Sequence, residues 1–176
     1  LGVHVLPKHL DEKVARLHRV TREEQDAFAA ESQRRTNVAM AAGHFGAELV
    51  PVTGPGVKAP VTTDEHPRPD ATIESLAKLK PAFAKENGSV TAGNASGIND
   101  AAAAVVLMEA GAAAKKGLKP MARLVSYGHA GIDPKIMGLG PVTAVKNALA
   151  KAGLKVSDID VFESNEAFAV QALGVS

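Results

Sequence analysis

The sequence predicts an α/β fold in which helices pack in layers around a sheet. Residues 122–127 alternate in hydrophobicity and are rich in β-forming residues, so they predict a strand. Residues 141–152 predict a helix, because a proline suits the first helical position and Gly153 suits the end. Residues 158–162 predict a second strand, and Asn165 then opens a further helix. Strand, loop, helix, strand, loop and helix is the order typical of layered α/β packing.

The N-terminal half predicts one long helix. Thr21 and Glu24 form a capping-box pattern, in which each side chain bonds to an otherwise unpaired backbone N–H group. We therefore expect a helix over residues 22–42 that ends at Gly43. Residues 1–10 show no regular pattern.

Shorter elements follow this helix. Residues 48–52 predict a short strand, and residues 53–69, which are rich in Pro and Gly, predict a loop. Thr72 caps a short helix that ends near Lys78. Residues 111–117 predict a short turn of helix between two glycines.

The most distinctive stretch covers residues 90–100 and reads VTAGNASGIND. Gly93 and Gly97 lack a Cβ atom, so the backbone can turn sharply and a ligand can approach it closely. The polar residues at 99–100 can cap a helix over residues 101–108. That helix is apolar nearly all round, which predicts that it is buried. A polar, glycine-bearing loop on a buried helix is typical of a ligand-binding site.

Composition limits the kind of protein. The 176 residues are 45% apolar, which is enough for one domain with a hydrophobic core. Their net charge is +1, so the chain has no electrostatic field that would attract nucleic acid or an anionic membrane. No apolar run approaches the roughly 20 residues that span a bilayer. There is no signal-peptide pattern either, so we expect a cytoplasmic protein. The sequence has no cysteine, which excludes disulfides and a cysteine nucleophile within these residues. The histidines show no metal-site spacing, and the sequence has no dinucleotide-binding or Walker motif.

Six stretches resemble the thiolases, a family of acyl-CoA acyltransferases. They are residues 64–69 (DEHPRP), 76–83 (LAKLKPAF), 90–100 (VTAGNASGIND), 128–134 (GHAGIDP), 137–141 (MGLGP) and 165–169 (NEAFA). Their order and spacing are most similar to those of bacterial β-ketothiolases of the acetyl-CoA acetyltransferase type. The resemblance implies a layered αβαβα thiolase fold, here partial, with an α/β loop region that binds coenzyme A.

The resemblance also divides the chain. Residues 1–98 would be the coenzyme A-binding loop region, residues 99–121 the end of the N-terminal thiolase half, and residues 122–176 the start of the C-terminal half. The chain begins with Leu1 and ends inside a predicted helix, so we interpret it as an internal part of a longer thiolase. A complete small domain that has lost its catalytic parts is the alternative.

A thiolase joins two acetyl-CoA molecules to give acetoacetyl-CoA and free coenzyme A, or runs the reverse reaction. The family uses a cysteine nucleophile before the matched region, and a histidine and a second cysteine after it. None of these is in this chain, so we expect the chain alone to be inactive. The resemblance implies a homodimer or homotetramer without metal or prosthetic group. The alternative is a non-catalytic coenzyme A-binding or assembly module, which the absence of cysteine favours.

Asn165 is the candidate catalytic residue. From the residues alone, an asparagine between a strand and a helix is an N-cap. In the Asn-Glu-Ala-Phe context, the resemblance implies that it holds a water which, with the catalytic histidine, stabilises the enolate oxygen that forms during reaction.

Eight residues match family positions that contact coenzyme A: Arg68, Ser75, Leu79, Phe83, Ala92, Ser96, Met137 and Phe168. Arg68 would face the nucleotide end, since a guanidinium suits phosphate or adenine, and a solvated loop charge is the alternative. Ser96 would contact the pantetheine arm, and a serine that bonds its own turn is the alternative. Ser75 has an exposed helix serine as its alternative. The apolar residues would line the channel, with Phe168 shaping the acyl pocket, and Met137 and Phe168 also fit core positions.

Overall fold

A computed structural model describes residues 10–176. In this range the chain forms six α-helices and two 3-10 helices. The α-helices are α1 (Leu10–His18), α2 (Arg22–Ala41), α3 (Ile73–Ala77), α4 (Ala110–Lys115), α5 (Gly140–Ala152) and α6 (Ala169–Val175). The 3-10 helices are Pro134–Leu139 and Val156–Asp158. The expectation for residues 1–9 lies outside the described range, and Leu10 begins a helix that the sequence pattern did not predict.

The packed core lies where α1 meets α6 and the 3-10 helix Pro134–Leu139. Its buried members come from four separate parts of the chain: Val14, Ala15, Val90, Leu139 and Val170. Val90 belongs to the distinctive stretch described above, so this stretch is anchored in the core.

The long helix α2 is confirmed, together with its cap. The Thr21 hydroxyl accepts a hydrogen bond from Glu24 N at 3.2 Å, and the Glu24 carboxylate accepts one from Thr21 N at 2.7 Å. Gly43 follows the helix with a left-handed φ of 75°, as expected of a residue just past a helix end. Gln25 and Asp26 are among the few residues that α2 buries. The helix therefore contacts the rest of the chain through polar groups as well as apolar ones.

Three shorter helices also follow the sequence pattern. Thr72 caps α3, since its hydroxyl accepts a hydrogen bond from Ser75 N at 3.1 Å. Gly153 ends α5 with a left-handed φ of 69°. Helix α4 matches the predicted turn of helix. None of the helices in the described part of the chain combines the length and apolar composition needed to cross a bilayer.

The three predicted strands do not form in this structure. Residues 122–127 and 158–162 are in no strand, and residues 48–52 contribute only the single antiparallel bridge between Val52 and Val61. A strand needs a neighbour to pair with its backbone N–H and C=O groups, and nothing within residues 10–176 pairs with these segments beyond that bridge. The prediction of these strands is therefore wrong for this chain.

The predicted buried helix over residues 101–108 is also wrong. The segment is not helical, and its apolar side chains are exposed, with Val106 exposed to 90%. An apolar segment becomes a stable helix in a protein mainly by packing against another element. Among residues 10–176 no element covers this one.

Helix α6 begins at Ala169, four residues later than predicted, so Asn165 is not its N-cap. The preceding residues pair with residues 94–96 in an extended conformation. Ser96 N donates to the Ala167 carbonyl oxygen at 2.8 Å, and Ala169 N donates to the Asn94 carbonyl oxygen at 2.9 Å. This pairing, with an antiparallel bridge between residues 95 and 168, keeps the first predicted turn out of the helix.

Candidate functional site

The carboxylate of Glu12 holds residues 89–96, which we name the clamped loop. Its two oxygens accept hydrogen bonds from Ser89 N at 3.0 Å, from the Ser89 hydroxyl at 2.9 Å and from Val90 N at 3.0 Å. Glu12 and both of its partners are buried. A buried carboxylate that accepts several hydrogen bonds fixes the backbone it touches, because each donor would be costly to leave without an acceptor.

Asn94 holds the middle of the clamped loop from inside. Its Oδ1 accepts a hydrogen bond from Thr91 N at 2.8 Å. Its Nδ2 donates to the Ser89 carbonyl oxygen at 3.0 Å and to Asp26 Oδ1 at 2.9 Å. The side chain of Asn94 is buried and fully used within the protein, so it shapes the loop and ties it to α2.

Arg22 extends this network to α3. Its guanidinium forms an ion pair with Asp26 at 2.7 Å and donates to the carbonyl oxygens of Leu76 at 2.7 Å and Leu79 at 3.0 Å. The two carbonyls lie at the end of α3, where intrahelical partners run out. Helix α2 therefore holds both the clamped loop and the segment that carries the predicted site residues Ser75 and Leu79.

Side chains of the chain itself lie against both glycines of the distinctive stretch. A Cβ atom at Gly93 would overlap Leu76 and lie 2.6 Å from Leu79 Cδ1. A Cβ atom at Gly97 would lie 2.6 Å from His66 Cε1. The sequence predicted open backbone for a ligand at these positions. At Gly93 the buried side chain of Leu76 occupies that space, whereas at Gly97 the neighbour is the end of the exposed His66 side chain, which can move aside.

Two side chains of α2 bond to the backbone of Arg68. Gln33 Oε1 accepts a hydrogen bond from Arg68 N at 2.8 Å, and Asn37 Nδ2 donates to the Arg68 carbonyl oxygen at 3.2 Å. The guanidinium is exposed and makes one long contact, 3.5 Å from its Nη1 to the Ala92 carbonyl oxygen. Arg68 thus lies beside the clamped loop with its charged end toward solvent.

The two predicted serines have different environments. The Ser75 hydroxyl is engaged at the start of α3, where it accepts from Thr72 N at 2.9 Å and contacts the Thr72 carbonyl oxygen at 2.9 Å. The same helix start holds Glu74, and hydrogen bonds from its own backbone N–H and from the Thr72 hydroxyl keep the pKa of Glu74 below its usual value. Ser96 is exposed, and its side chain is free of hydrogen bonds within residues 10–176.

A cleft of about 180 Å³ lies between α2 and the clamped loop. Ser32, Ser96 and Glu166 are among its polar lining residues, and the Ser32 hydroxyl donates to Glu166 at 2.5 Å. The full lining is Phe28, Ala29, Ser32, Gln33, His66, Gly93, Asn94, Ala95, Ser96, Glu166 and Ala169. Asn165 immediately precedes Glu166 and is exposed.

The apolar candidates divide into those near this cleft and one apart from it. Phe83 and Phe168 pack edge to face with ring centroids 6.5 Å apart, and both lie against the core. Leu79 contacts the space beside Gly93, as described above. Met137 lies on the 3-10 helix that packs against α1 and α6, and it is not among the residues that line the cleft. In the described part of the chain, no cluster of three or more His, Cys, Asp or Glu side chains could hold a metal ion.

Comparison with known proteins decides the family. Residues 8–111 match the family model for the thiolase N-terminal domain, and residues 118–176 match the model for the thiolase C-terminal domain. The chain belongs to the thiolase family. This thiolase is 60% identical to the β-ketothiolase BktB of Cupriavidus necator over 167 residues, which cover 94% of this chain and 42% of that protein. It is 53% identical to an acetyl-CoA acetyltransferase of Syntrophomonas wolfei, over 94% of this chain and 42% of that protein.

Solved structures confirm the predicted thiolase-like fold. The crystal structure of the Bacillus anthracis acetyl-CoA acetyltransferase matches with a TM-score of 0.90 and 46% identity, over 99% of this chain and 45% of that one. Human mitochondrial 3-ketoacyl-CoA thiolase matches with a TM-score of 0.83 and 44% identity, over 94% of this chain and 42% of that one. This thiolase chain therefore spans less than half the length of these relatives.

Sequence reasoning missed the residues of α1 and α2 that assemble the site. They are Glu12, Arg22, Asp26, Ser32, Gln33 and Asn37. The sequence feature that could have indicated these residues is the polar character of α2. A helix with little apolar surface is held in the fold by hydrogen bonds and ion pairs rather than by apolar packing.

Proposed function

We propose that this thiolase binds the coenzyme A part of an acyl-CoA thioester along the cleft and the surface that leads from it to Arg68. The observation that carries the proposal is that α2 ties Arg68, α3 and the clamped loop into one unit through side-chain hydrogen bonds. A free serine hydroxyl in the cleft suits the amides of pantetheine, and an exposed guanidinium suits a phosphate.

In the proposed reaction, a cysteine outside this sequence gives its proton to a base, and its thiolate takes the acetyl group from acetyl-CoA. The sulfur–acyl bond of acetyl-CoA breaks, and the coenzyme A thiolate that leaves takes the proton from that base. A base removes an α-proton from a second acetyl-CoA, and the resulting enolate carbon attacks the acetyl carbonyl. A carbon–carbon bond forms, the sulfur–acyl bond breaks, and acetoacetyl-CoA leaves as the cysteine recovers its proton. The names of the relatives, β-ketothiolase and acetyl-CoA acetyltransferase, support this reaction class. Covalent catalysis of this kind divides one difficult acyl transfer into two easier steps.

Asn165 is proposed to stabilise the enolate oxygen through a bound water. Its carboxamide is exposed beside a cleft-lining residue, which is compatible with that role. In the enzyme that carries the cysteine, we expect Asn165→Ala to lower kcat by about 100-fold or more while KM changes little, since the lost interaction forms only as charge develops. Asn147→Ala, on α5, is the control. Steady-state kinetics of acetoacetyl-CoA thiolysis make the measurement, and a kcat equal to that of the unsubstituted enzyme contradicts the role.

The remaining parts of the proposal follow from the thiolase resemblance. Residues 1–98 form the coenzyme A-binding loop region, residues 99–121 end the N-terminal half, and residues 122–176 begin the C-terminal half. The enzyme is a cytoplasmic homodimer or homotetramer that works without metal or prosthetic group. Leu79, Phe83, Ala92 and Met137 line the channel and Phe168 shapes the acyl pocket.

A second candidate is a non-catalytic coenzyme A-binding or assembly module. The absence of cysteine from the 176 residues favours it. The two candidates separate in a thiolysis assay of the full-length protein that contains these residues. A non-catalytic module consumes no acetoacetyl-CoA at any protein concentration, whereas a thiolase does.

Calorimetric titration of the chain with coenzyme A tests the binding that both candidates share. We expect saturable binding that Ser96→Ala weakens by about fivefold, the ordinary net worth of one hydrogen bond. Ser157→Ala, an exposed serine away from the cleft, is the matched control and should leave the affinity unchanged. No saturable binding by the unsubstituted chain would contradict the proposal.

A further inference from the structure

We propose that Gln33 and Asn37 are positioning residues for Arg68, and that they set the affinity of this thiolase for the phosphate-bearing end of coenzyme A. The inference rests on the proposed function, because it assigns the partner of the Arg68 guanidinium as a phosphate of the coenzyme.

The geometry is a two-point clamp on one residue. Gln33 accepts a hydrogen bond from the N–H of Arg68 at 2.8 Å, and Asn37 donates to its carbonyl oxygen at 3.2 Å. The two side chains are four positions apart on α2, so they lie on the same face of the helix. Because they bond to the peptide groups on either side of one Cα atom, they fix the direction in which the Arg68 side chain leaves the backbone.

The surrounding loop explains why such a clamp matters. Residues 53–69 are almost entirely exposed, and this stretch has only the isolated bridge between Val52 and Val61. Pro67 and Pro69 restrict the backbone on each side of Arg68. The clamp from α2 then attaches this restricted turn to a helix of 20 residues. The loop is thereby attached to α2 at Arg68, although most of it makes few contacts.

The charge on Arg68 is available for a ligand. Within residues 10–176 no carboxylate forms an ion pair with it, and its one polar contact is the 3.5 Å approach to the Ala92 carbonyl oxygen. By contrast, Arg34 and Arg35 on α2 each form an ion pair with Glu31, at 2.6 Å. A guanidinium without an ion-pair partner suits the phosphates of a nucleotide. Because the backbone of Arg68 is already held, less conformational entropy is lost when the ligand binds.

The inference predicts a selective effect on ligands. Coenzyme A carries phosphates, whereas pantetheine has the same thiol arm without them. Gln33→Ala and Asn37→Ala should each weaken coenzyme A binding by about fivefold, as expected for one lost hydrogen bond. Asn37 is not among the residues that line the cleft, so Asn37→Ala should leave pantetheine binding unchanged. Gln33 also lines the cleft, so for Gln33→Ala the coenzyme A affinity should fall by more than the pantetheine affinity. Val38→Ala is the control, because Val38 lies next to Asn37 on α2 with an exposed side chain.

Calorimetry with coenzyme A and NMR titration with pantetheine, on the unsubstituted chain and each variant, provide the test. In an Arg68→Ala background, Gln33→Ala should cause no further loss, because a positioning residue acts only through the residue it positions. The inference is supported if Gln33→Ala no longer lowers coenzyme A affinity in the Arg68→Ala background and if Asn37→Ala leaves pantetheine affinity unchanged.

Three results would overturn the inference while the proposed function stands. The first is a coenzyme A affinity in Gln33→Ala and Asn37→Ala equal to that of Val38→Ala, and the second is an equal loss of affinity for coenzyme A and for pantetheine. The third is a loss of coenzyme A affinity from Gln33→Ala that is as large in the Arg68→Ala background as in the unsubstituted chain. Absence of coenzyme A binding by the unsubstituted chain would overturn the proposed function and this inference with it. A thermal unfolding curve for each variant separates these outcomes from loss of the fold, since pantetheine binding also fails in an unfolded chain.

Discussion

The clamped loop and the segment that follows it offer an instructive comparison. Val90 in the clamped loop is 0% exposed, whereas Val106, sixteen positions later in the sequence, is 90% exposed. Both lie in runs of small and apolar residues, so apolar composition does not explain the difference. The clamped loop finds hydrogen-bond acceptors on α1 and α2 and an apolar face in the core, and residues 101–108 find neither in the described chain.

The comparison extends to residues 122–127 and 158–162, which share the exposure of residues 101–108. We refer to these three segments together as the open segments. Leu124 and Phe162 are exposed there, although the residue types are those of buried strands. An apolar residue is buried when a partner surface covers it, whatever its own sequence pattern. The polar network around Glu12 and Asn94 holds the clamped loop against such a surface.

The largest expected effect comes from breaking the clamp. Glu12→Ala would leave two buried N–H groups and the Ser89 hydroxyl without an acceptor, and we expect it to cost about 4 kcal/mol of the free energy of unfolding. Glu86→Ala, an exposed carboxylate with no such contacts, should change it by less than about 0.5 kcal/mol. Urea denaturation makes the measurement, and equal unfolding midpoints for the two variants would show that the clamp is not needed.

A matched pair of truncations compares the two regions directly. Val14→Ala removes two methyl groups from the core, and we expect a loss of about 2 kcal/mol in the free energy of unfolding. Val106→Ala removes the same groups from an open segment and should cost less than about 0.5 kcal/mol. The same denaturation experiment distinguishes them, and a similar cost for both would mean that residue 106 has a buried partner in solution.

The smallest effect is expected from pH at α4, which directly follows the open segment of residues 101–108. Glu109 caps this helix, and hydrogen bonds from Gly111 N and Ala112 N lower the pKa of its carboxyl below the usual 4.5. Because the folded-state pKa is lowered, the stabilisation is complete above pH 4.5 and is lost as the pH falls through the folded value. Amide exchange at Gly111 and Ala112 should therefore accelerate on acidification after correction for its intrinsic pH dependence. Glu109→Gln should abolish this dependence, and its persistence in that variant would exclude Glu109 as the cause.

Local features of the fold were predictable from the sequence because their causes are local. The capping box at Thr21, the cap at Thr72 and the helix end at Gly153 each depend on residues within four positions. The six motifs likewise predicted the thiolase family, which the comparisons confirm. The candidate residues around the cleft were named from the same motifs, and their roles remain predictions.

The residues that hold the site could not be predicted, because their partners are distant in sequence. Glu12 bonds to Ser89 across 77 positions, and Asp26 bonds to Asn94 across 68. A glutamate and an aspartate in helices predict only solvated charges when no tertiary contact is known. The predictions for the open segments were wrong for the opposite reason, since their pattern predicts burial and no element among residues 10–176 covers them.

Native-state hydrogen exchange tests the central claim most directly, because it compares the clamped loop with the open segments in one experiment. The amides of Ser89, Val90 and Thr91 donate to buried acceptors, so we expect them to exchange on the order of a hundredfold or more slowly than those of residues 105–107. Protection of the clamped loop that falls to the level of the open segments in Glu12→Ala would show that the polar network creates the order. Equal exchange in the two regions of the unsubstituted chain would contradict the account.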